Sequence, residues 1–123
     1  MATVAAVLVA IVAAIHVYIV ILEMVLWRTP RGLRAFGTDQ AFADASATLA
    51  ANQGLYNGFL VAGLVWGLLA SDPIGFQVKL FFLGCVIVAG VFGAATVSRR
   101  ILVVQALPAA LALVAVLLAG STA

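Results

Sequence analysis

The sequence predicts an all-α membrane protein, a four-transmembrane-helix bundle with short hairpin loops and one longer first loop. Two thirds of the residues are apolar and only 8% are charged, whereas soluble domains are about 45–50% apolar and about 25% charged. The apolar residues form continuous runs, and the charges fall at the boundaries between them. Lipid is therefore the expected solvent for most of the chain.

The predicted spans form a single domain over residues 1–123, and each is long enough to cross a bilayer, for which about 20 apolar residues suffice. Helices are expected because lipid offers the backbone no hydrogen-bond partner. The first run continues well beyond the length of a signal-peptide core, so we interpret it as a retained helix. The spans cover residues 2–27, 49–70, 76–98 and 101–120.

The basic residues predict the orientation. Five of the six lie in the first and third connections, so the positive-inside rule places these two loops in the cytoplasm and both termini outside. We expect a multi-pass protein of the cell inner membrane. These five residues are Arg28, Arg31, Arg34, Arg99 and Arg100.

The first connection is the only long one. Thr38 or Asp39 is a suitable cap for a short helix through Ala47 that would lie at the membrane surface. The alternative interpretation is a simple connector.

Glu23 is the only acid within a predicted span, and His16 is the only histidine. They are seven residues apart and so share one helix face, which Trp27 extends. A charged side chain at mid-membrane costs about 2.5–3.5 kcal/mol and usually faces a protein partner. His16 is a possible proton or hydrogen-bond partner. The alternatives are that Glu23 pairs with Arg28 or another loop arginine at the membrane edge, and that His16 is a neutral donor to another helix with a purely structural role.

Polar side chains also gather at the start of the second span, where Asn52, Gln53, Tyr56 and Asn57 lie within about a turn and a half. In the predicted topology they lie at the depth of Glu23, and Gln105, near the cytoplasmic start of the fourth span, lies at the same level. This convergence predicts a polar ligand-binding pocket on the cytoplasmic side. The alternative is interhelical hydrogen bonding, at about 0.6 kcal/mol per bond.

Small residues spaced four apart mark close helix contacts, within the chain or between subunits. The pairs are Gly54 with Gly58, Gly63 with Gly67, Ala89 with Gly93, and Gly90 with Ala94.

Several chemistries are not predicted. A single histidine and a single cysteine, Cys85, supply too few ligands for a zinc site, a bis-histidine haem or an iron–sulfur cluster. The expected metal content is none. The chain has no basic face or tail for nucleic acid.

The chain resembles a family of small bacterial and fungal membrane proteins classed as domain of unknown function 1304. The resemblance rests on His16, Glu23, Met24 and Trp27, on the turn at residues 29–32, on Phe36, and on the run over residues 52–60. Gln105 and Pro108 extend it into the fourth span. It implies four helices and no particular activity.

A more distant resemblance is to the membrane-associated proteins in eicosanoid and glutathione metabolism. That family has four spans, outward termini, a long cytoplasmic first loop and an asparagine near the start of span two, a position that Asn52 matches. It implies trimers with ligand sites between subunits. The glutamate that its transferases carry shortly after this asparagine is absent here, where Leu55, Tyr56 and Asn57 stand.

The sequence leaves four functions open. The first is binding of a small amphiphilic molecule by the polar cluster, in a protein that contacts the lipid bilayer and forms a homo-oligomer. The second is an enzyme that acts on a lipophilic substrate, with glutathione as the candidate cosubstrate, Tyr56 stabilising a thiolate or oxyanion, and Arg28 or Arg99 contacting an anion. The third is proton-linked transport through Glu23 and His16, and the fourth is a structural partner protein.

Overall fold

The computed structural model of the protein describes residues 1–121, and these contain helices but no strand. This confirms the all-α prediction. The helices are α1 (Ala2–Met24), α2 (Pro30–Phe36), α3 (Gln40–Leu69), α4 (Ile74–Thr96), a π-helical segment (Leu102–Ala106) and α5 (Leu107–Ala119).

Three helical stretches of the described chain are long and apolar enough to cross a membrane: Ala2–Met24, Ile74–Thr96 and Leu102–Ala119. They correspond to the first, third and fourth predicted spans and identify a helical membrane protein. Helix α3 is the longest helix but is not among them, since polar residues interrupt its apolar sequence. Its crossing of the bilayer stays a prediction.

Two helix boundaries differ from the predicted ones. The first span was expected to end at Trp27, but α1 ends at Met24 and the chain turns over residues 25–29. The predicted short helix through Ala47 and the separate second helix are one continuous helix, α3. Its start is capped by Asp39, whose Oδ1 accepts a hydrogen bond from the Phe42 amide at 2.8 Å. The sequence that follows is rich in alanine and lacks glycine and proline up to residue 53, so nothing ends the helix there.

Helix α2 was not predicted. Its N-terminus is capped by Thr29, whose hydroxyl accepts from the Gly32 amide at 3.4 Å, and Pro30 occupies the first turn, where no amide donor is needed. At its other end Gly37 adopts a left-handed conformation (φ 66°) that closes the helix. The sequence signal for α2 is therefore the pair Thr29 and Pro30 at its start together with Gly37 at its end.

The described chain divides into two compact units, and α1 and α3 contribute residues to each. The first unit contains Met1–Ile15 and the chain from Leu60 onwards. Its buried core draws on α1, α3, α4 and α5 and is made entirely of aliphatic side chains. The core residues are Ala5, Val9, Val12, Ala13, Leu64, Leu83, Val86, Ala109, Ala112, Ala115 and Val116.

Within this first unit, glycines allow close helix approach, as the small-residue spacing predicted. A Cβ at Gly90 would lie 2.8 Å from the backbone nitrogen of Ala106, so α4 meets the π-helical segment there with no room for a side chain. A Cβ at Gly63 would collide with the ring of Phe82, which joins α3 to α4. These contacts are the packing that small-residue pairs permit.

The π-helical segment precedes a proline in α5. Pro108 lacks an amide hydrogen and cannot donate to the carbonyl four residues earlier, so the α-helical pattern is interrupted upstream of it. Instead, the Leu107 amide donates to the Leu102 carbonyl, one residue further back than in an α-helix.

The second unit is His16–Phe59, which contains the end of α1, all of α2 and the beginning of α3. It holds the buried polar residues of the described chain: His16, Glu23 and Asn57.

Candidate functional site

The centre of the second unit is a hydrogen bond between α1 and α3. Asn57 Nδ2 donates to Glu23 Oε1 at 2.5 Å, and the two side chains are 6% and 8% exposed. The predicted alternative was a pairing of Glu23 with an arginine. In the described chain the hydrogen-bond partner of Glu23 is Asn57 instead. An amide donor satisfies one carboxylate oxygen and leaves the other available.

Close approach of the two helices makes this bond possible. Gly54 lies on α3 one turn before Asn57, and a Cβ there would collide with the side chain of Met24 and lie 3.2 Å from Cβ of Glu23. Any side chain at position 54 would therefore separate α1 from α3 at the level of the carboxylate.

A cleft of about 440 Å³ opens beside Glu23, between the end of α1 with the turn that follows it and the first part of α3. Every residue that lines it belongs to the second unit. The lining residues are Glu23, Met24, Val25, Trp27, Arg28, Asp44, Ala47, Thr48 and Ala51.

The α3 side of the cleft is a single helix face. Asp44, Ala47, Thr48 and Ala51 follow one another at spacings of three, one and three residues, the pattern that places side chains on one stripe of an α-helix. The two alanines leave space, and the carboxylate and hydroxyl add polar groups. The cleft thus combines small apolar positions with acceptors and donors.

Trp27 also lines the cleft and is held in place twice. Its indole Nε1 donates to Ser46 Oγ at 3.1 Å, and its ring lies 4.8 Å from that of Phe36 on α2. The Ser46 hydroxyl in turn donates to the Phe42 carbonyl at 2.7 Å. A fixed, half-buried indole in the cleft wall is suited to contact an apolar tail or a cation.

A second polar bridge fixes the rim of the cleft. Gln40 Nε2 donates both to the backbone carbonyl of Arg28 at 3.2 Å and to Asp44 Oδ1 at 2.9 Å. It links the turn after α1 to the first turns of α3. The Arg28 side chain is exposed, lines the cleft, and has no hydrogen-bond or ion-pair partner within residues 1–121.

Helix α2 packs closely on the same turn. A Cβ at Gly32 would collide with the Leu26 carbonyl oxygen and lie 2.8 Å from that of Trp27. The backbone that carries Trp27 and Arg28 is therefore braced by α2, which explains why a glycine follows the capped start of this short helix.

Of the six predicted ligand-binding residues only Glu23 lines this cleft; besides Asn57 and Gln105, the residues Asn52, Gln53 and Tyr56 lie outside it. Asn52 and Gln53 are exposed on α3 and have no hydrogen-bond partner among the described residues. Tyr56 is 55% exposed, and its ring contacts that of Phe59 at 5.8 Å. A ligand-binding role for these three stays a prediction.

The remaining predicted residues are placed as follows. His16 is fully buried and lies on α1, two turns before Glu23. Gln105 lies in the π-helical segment and is half-buried, and Arg99 is exposed in the turn after α4; both belong to the first unit. Their predicted roles in ligand binding and anion contact stay predictions.

Asp44 and Thr48 were not predicted as site residues, because Asp44 fell within the short surface helix expected through Ala47 and Thr48 fell between that helix and the second span. The signal was present: extending the helix from the Asp39 cap would have placed both on one face with Ala47 and Ala51. The bond from Asn57 to Glu23 joins residues 34 positions apart, and helix spacing within one span does not reveal it.

Comparison with known proteins identifies a family but no function. A family model described as "Protein of unknown function (DUF1304)" matches residues 10–117, nearly the whole chain. No curated protein and no solved structure matches the chain.

Proposed function

Since the chain belongs to the DUF1304 family, whose description gives no activity, we propose from the site itself that the protein binds a small amphiphilic molecule. The ligand's polar end would occupy the cleft beside Glu23, and its apolar end would contact Met24 and Trp27.

The observation that carries this proposal is a buried carboxylate that opens on a cleft. Glu23 is 8% exposed, its Oε1 accepts from Asn57, and its Oε2 has no hydrogen-bond partner within residues 1–121. The one fully buried side-chain N or O atom without a partner in the described chain is the Thr38 hydroxyl, so Oε2 of Glu23 keeps some contact with the cleft. A ligand that donates to Oε2 would give this oxygen the hydrogen bond that Asn57 gives to Oε1.

The dimensions and lining of the cleft support the same function. Its volume of about 440 Å³ falls within the usual range for ligand sites of about 300–1,000 Å³. Small and apolar side chains (Met24, Ala47 and Ala51) lie beside charged ones, which is the mixed lining that suits an amphiphile.

The proposed membrane arrangement makes the cleft accessible from the cytoplasm. Helix α3 has 30 residues and is about 45 Å long, longer than the hydrocarbon core of about 30 Å. We propose that residues 50–69 cross the inner membrane as the second of four spans. Residues 40–49 would then extend into the cytoplasm together with Arg28 and Asp44, and both termini would lie outside.

The geometry favours binding over the enzyme hypothesis. The candidate catalytic hydroxyl, Tyr56, is exposed and does not line the cleft that contains Arg28.

Fluorescence of Trp27 provides the test. The chain has two tryptophans, so Trp66→Phe leaves Trp27 as the only reporter. In nanodiscs, a nonionic amphiphile with a brominated tail is expected to quench Trp27 saturably. Ala47→Leu, which fills the cleft, should abolish the saturable component, whereas Ala45→Leu, an exposed position that does not line the cleft, should retain it. Quenching that rises linearly and is unchanged by Ala47→Leu would refute the site.

A further inference from the structure

We infer that the cleft selects amphiphiles whose headgroup is a primary ammonium. This inference rests on the proposed function and specifies the chemistry of the ligand. Two acceptors carry it, the free Oε2 of Glu23 and the carboxylate of Asp44, both of which line the cleft.

The formal charges of the cleft favour a cation. The whole chain has four acidic residues, and two of them, Glu23 and Asp44, line this one cleft with a single basic residue, Arg28. Acidic side chains therefore outnumber basic ones in the cleft by two to one. An anionic headgroup would meet like charge on two sides, so the anion contact predicted for Arg28 is less favourable here than cation binding.

The position of the cleft on α1 adds to this preference. Glu23 and Met24 belong to the last turn of α1, and the cleft also contacts Val25 just beyond it. Carbonyl groups at a helix C-terminus carry partial negative charge, which stabilises a cation nearby. No basic side chain occupies the last turn of α1.

Hydrogen bonding selects a primary ammonium rather than a quaternary one. Glu23 Oε2 needs a donor, and a primary ammonium has three. A trimethylammonium group has the charge but no N–H and would leave Oε2 of Glu23 without a hydrogen bond. Asp44 already accepts from Gln40 through Oδ1 and presents its second oxygen as an additional acceptor.

The experiment compares headgroups on one tail. The Trp66→Phe protein in phosphatidylcholine nanodiscs is titrated with decylamine, decyltrimethylammonium and decanol, with Trp27 emission as the readout. Decylamine should bind at least about tenfold tighter than the other two, which corresponds to about 1.4 kcal/mol. Asp44→Asn and Glu23→Gln should each reduce that preference. Asp39→Asn removes the same charge outside the cleft and keeps an N-cap, so it should leave the preference unchanged.

Each other outcome has a defined meaning. Equal affinity for the three headgroups would overturn the ammonium inference and leave the binding site intact. Binding of none of them would overturn the proposed function as well. Because Glu23→Gln affects a buried contact, the exposed Asp44→Asn decides the case if the Glu23 variant fails to fold.

Two further titrations identify the source of the ammonium. Ethanolamine has the headgroup without a tail, and competition as strong as that of decylamine would assign the site to a soluble amine and contradict an amphiphilic ligand. Replacing part of the phosphatidylcholine by phosphatidylethanolamine should weaken decylamine binding if the membrane lipid itself supplies the headgroup. Unchanged binding would indicate a single-chain amine.

Discussion

Asn57 and Glu23 are joined by a buried hydrogen bond of 2.5 Å that links α3 to α1. The amide holds the two helices together and occupies one carboxylate oxygen of Glu23.

Replacement of Asn57 by leucine is expected to lower the free energy of unfolding by about 1–3 kcal/mol, because Glu23 Oε1 is left buried without a donor. The measurement is denaturant unfolding of the purified protein in mixed micelles. Gln77→Leu, at an exposed position on α4, should cost much less. In a Glu23→Gln background the cost of Asn57→Leu should fall, and strictly additive costs would contradict a direct interaction.

Replacing a glycine of α4 by alanine should have opposite effects on the free energy of unfolding at two positions. At Gly90 a Cβ would lie 2.8 Å from the backbone nitrogen of Ala106, which cannot move away, so Gly90→Ala should destabilise by about 1–3 kcal/mol. At Gly84 nothing lies within 4 Å, and Gly84→Ala should be neutral or stabilising by up to about 1 kcal/mol through helix propensity. Similar effects at both positions in an unfolding experiment would contradict the contact between α4 and the π-helical segment.

The four-span arrangement predicts which loops an impermeant thiol reagent reaches. With Cys85→Ser as background, Ser71→Cys should react in intact cells, whereas Arg34→Cys and Arg99→Cys should react only after the membrane is opened. If α3 does not cross, residue 71 lies on the same side as residue 34, and the two cysteines would react alike. Labelling of purified protein provides the control for intrinsic reactivity.

Homo-oligomer formation should involve the exposed amides of α3. Asn52 and Gln53 have no partner within the described chain, and lipid provides none, so a second copy is the expected source of hydrogen bonds if this segment lies in the bilayer. In the Cys85→Ser background, Asn52→Cys is expected to form a disulfide-linked dimer in membranes under mild oxidation. Phe42→Cys, exposed near the start of α3 and outside the proposed span, should not. A monomer in both cases would count against this interface.

Composition and the length of the apolar runs were sufficient to predict a helical membrane protein, because apolar runs of this length have few stable structures other than membrane-spanning helices. Local signals also predicted the Asp39 cap. The sequence did not indicate that α3 begins well before the predicted second span. An alanine-rich segment can be helical both in water and in lipid, so its composition does not mark the membrane boundary. The small helix α2 was missed because the same threonine–proline–arginine–glycine residues that end a span can also cap a new helix.

The candidate site was only partly predictable for a related reason. Glu23 was predicted because a charged side chain in a membrane span costs free energy, and Asn57 because it lies in a run of polar residues. Their hydrogen bond could not be predicted, because it depends on the close approach of α1 and α3 at Gly54. Asp44 and Thr48 carry ordinary polar side chains in an exposed segment. Only their shared face on a continuous α3 relates them to the cleft.

The π-helical segment has a consequence for how chains of this type can vary in length. Its hydrogen-bonded ring contains one residue more than that of an α-helix, so it acts as a one-residue insertion within an otherwise regular helix. Deleting Val103, which is 61% exposed, would remove this extra residue. The helix after the deletion would keep its orientation, so Ala109 and Ala112 would still face the core. Homologous chains that are shorter by one residue are therefore expected to carry their gap between residues 102 and 106.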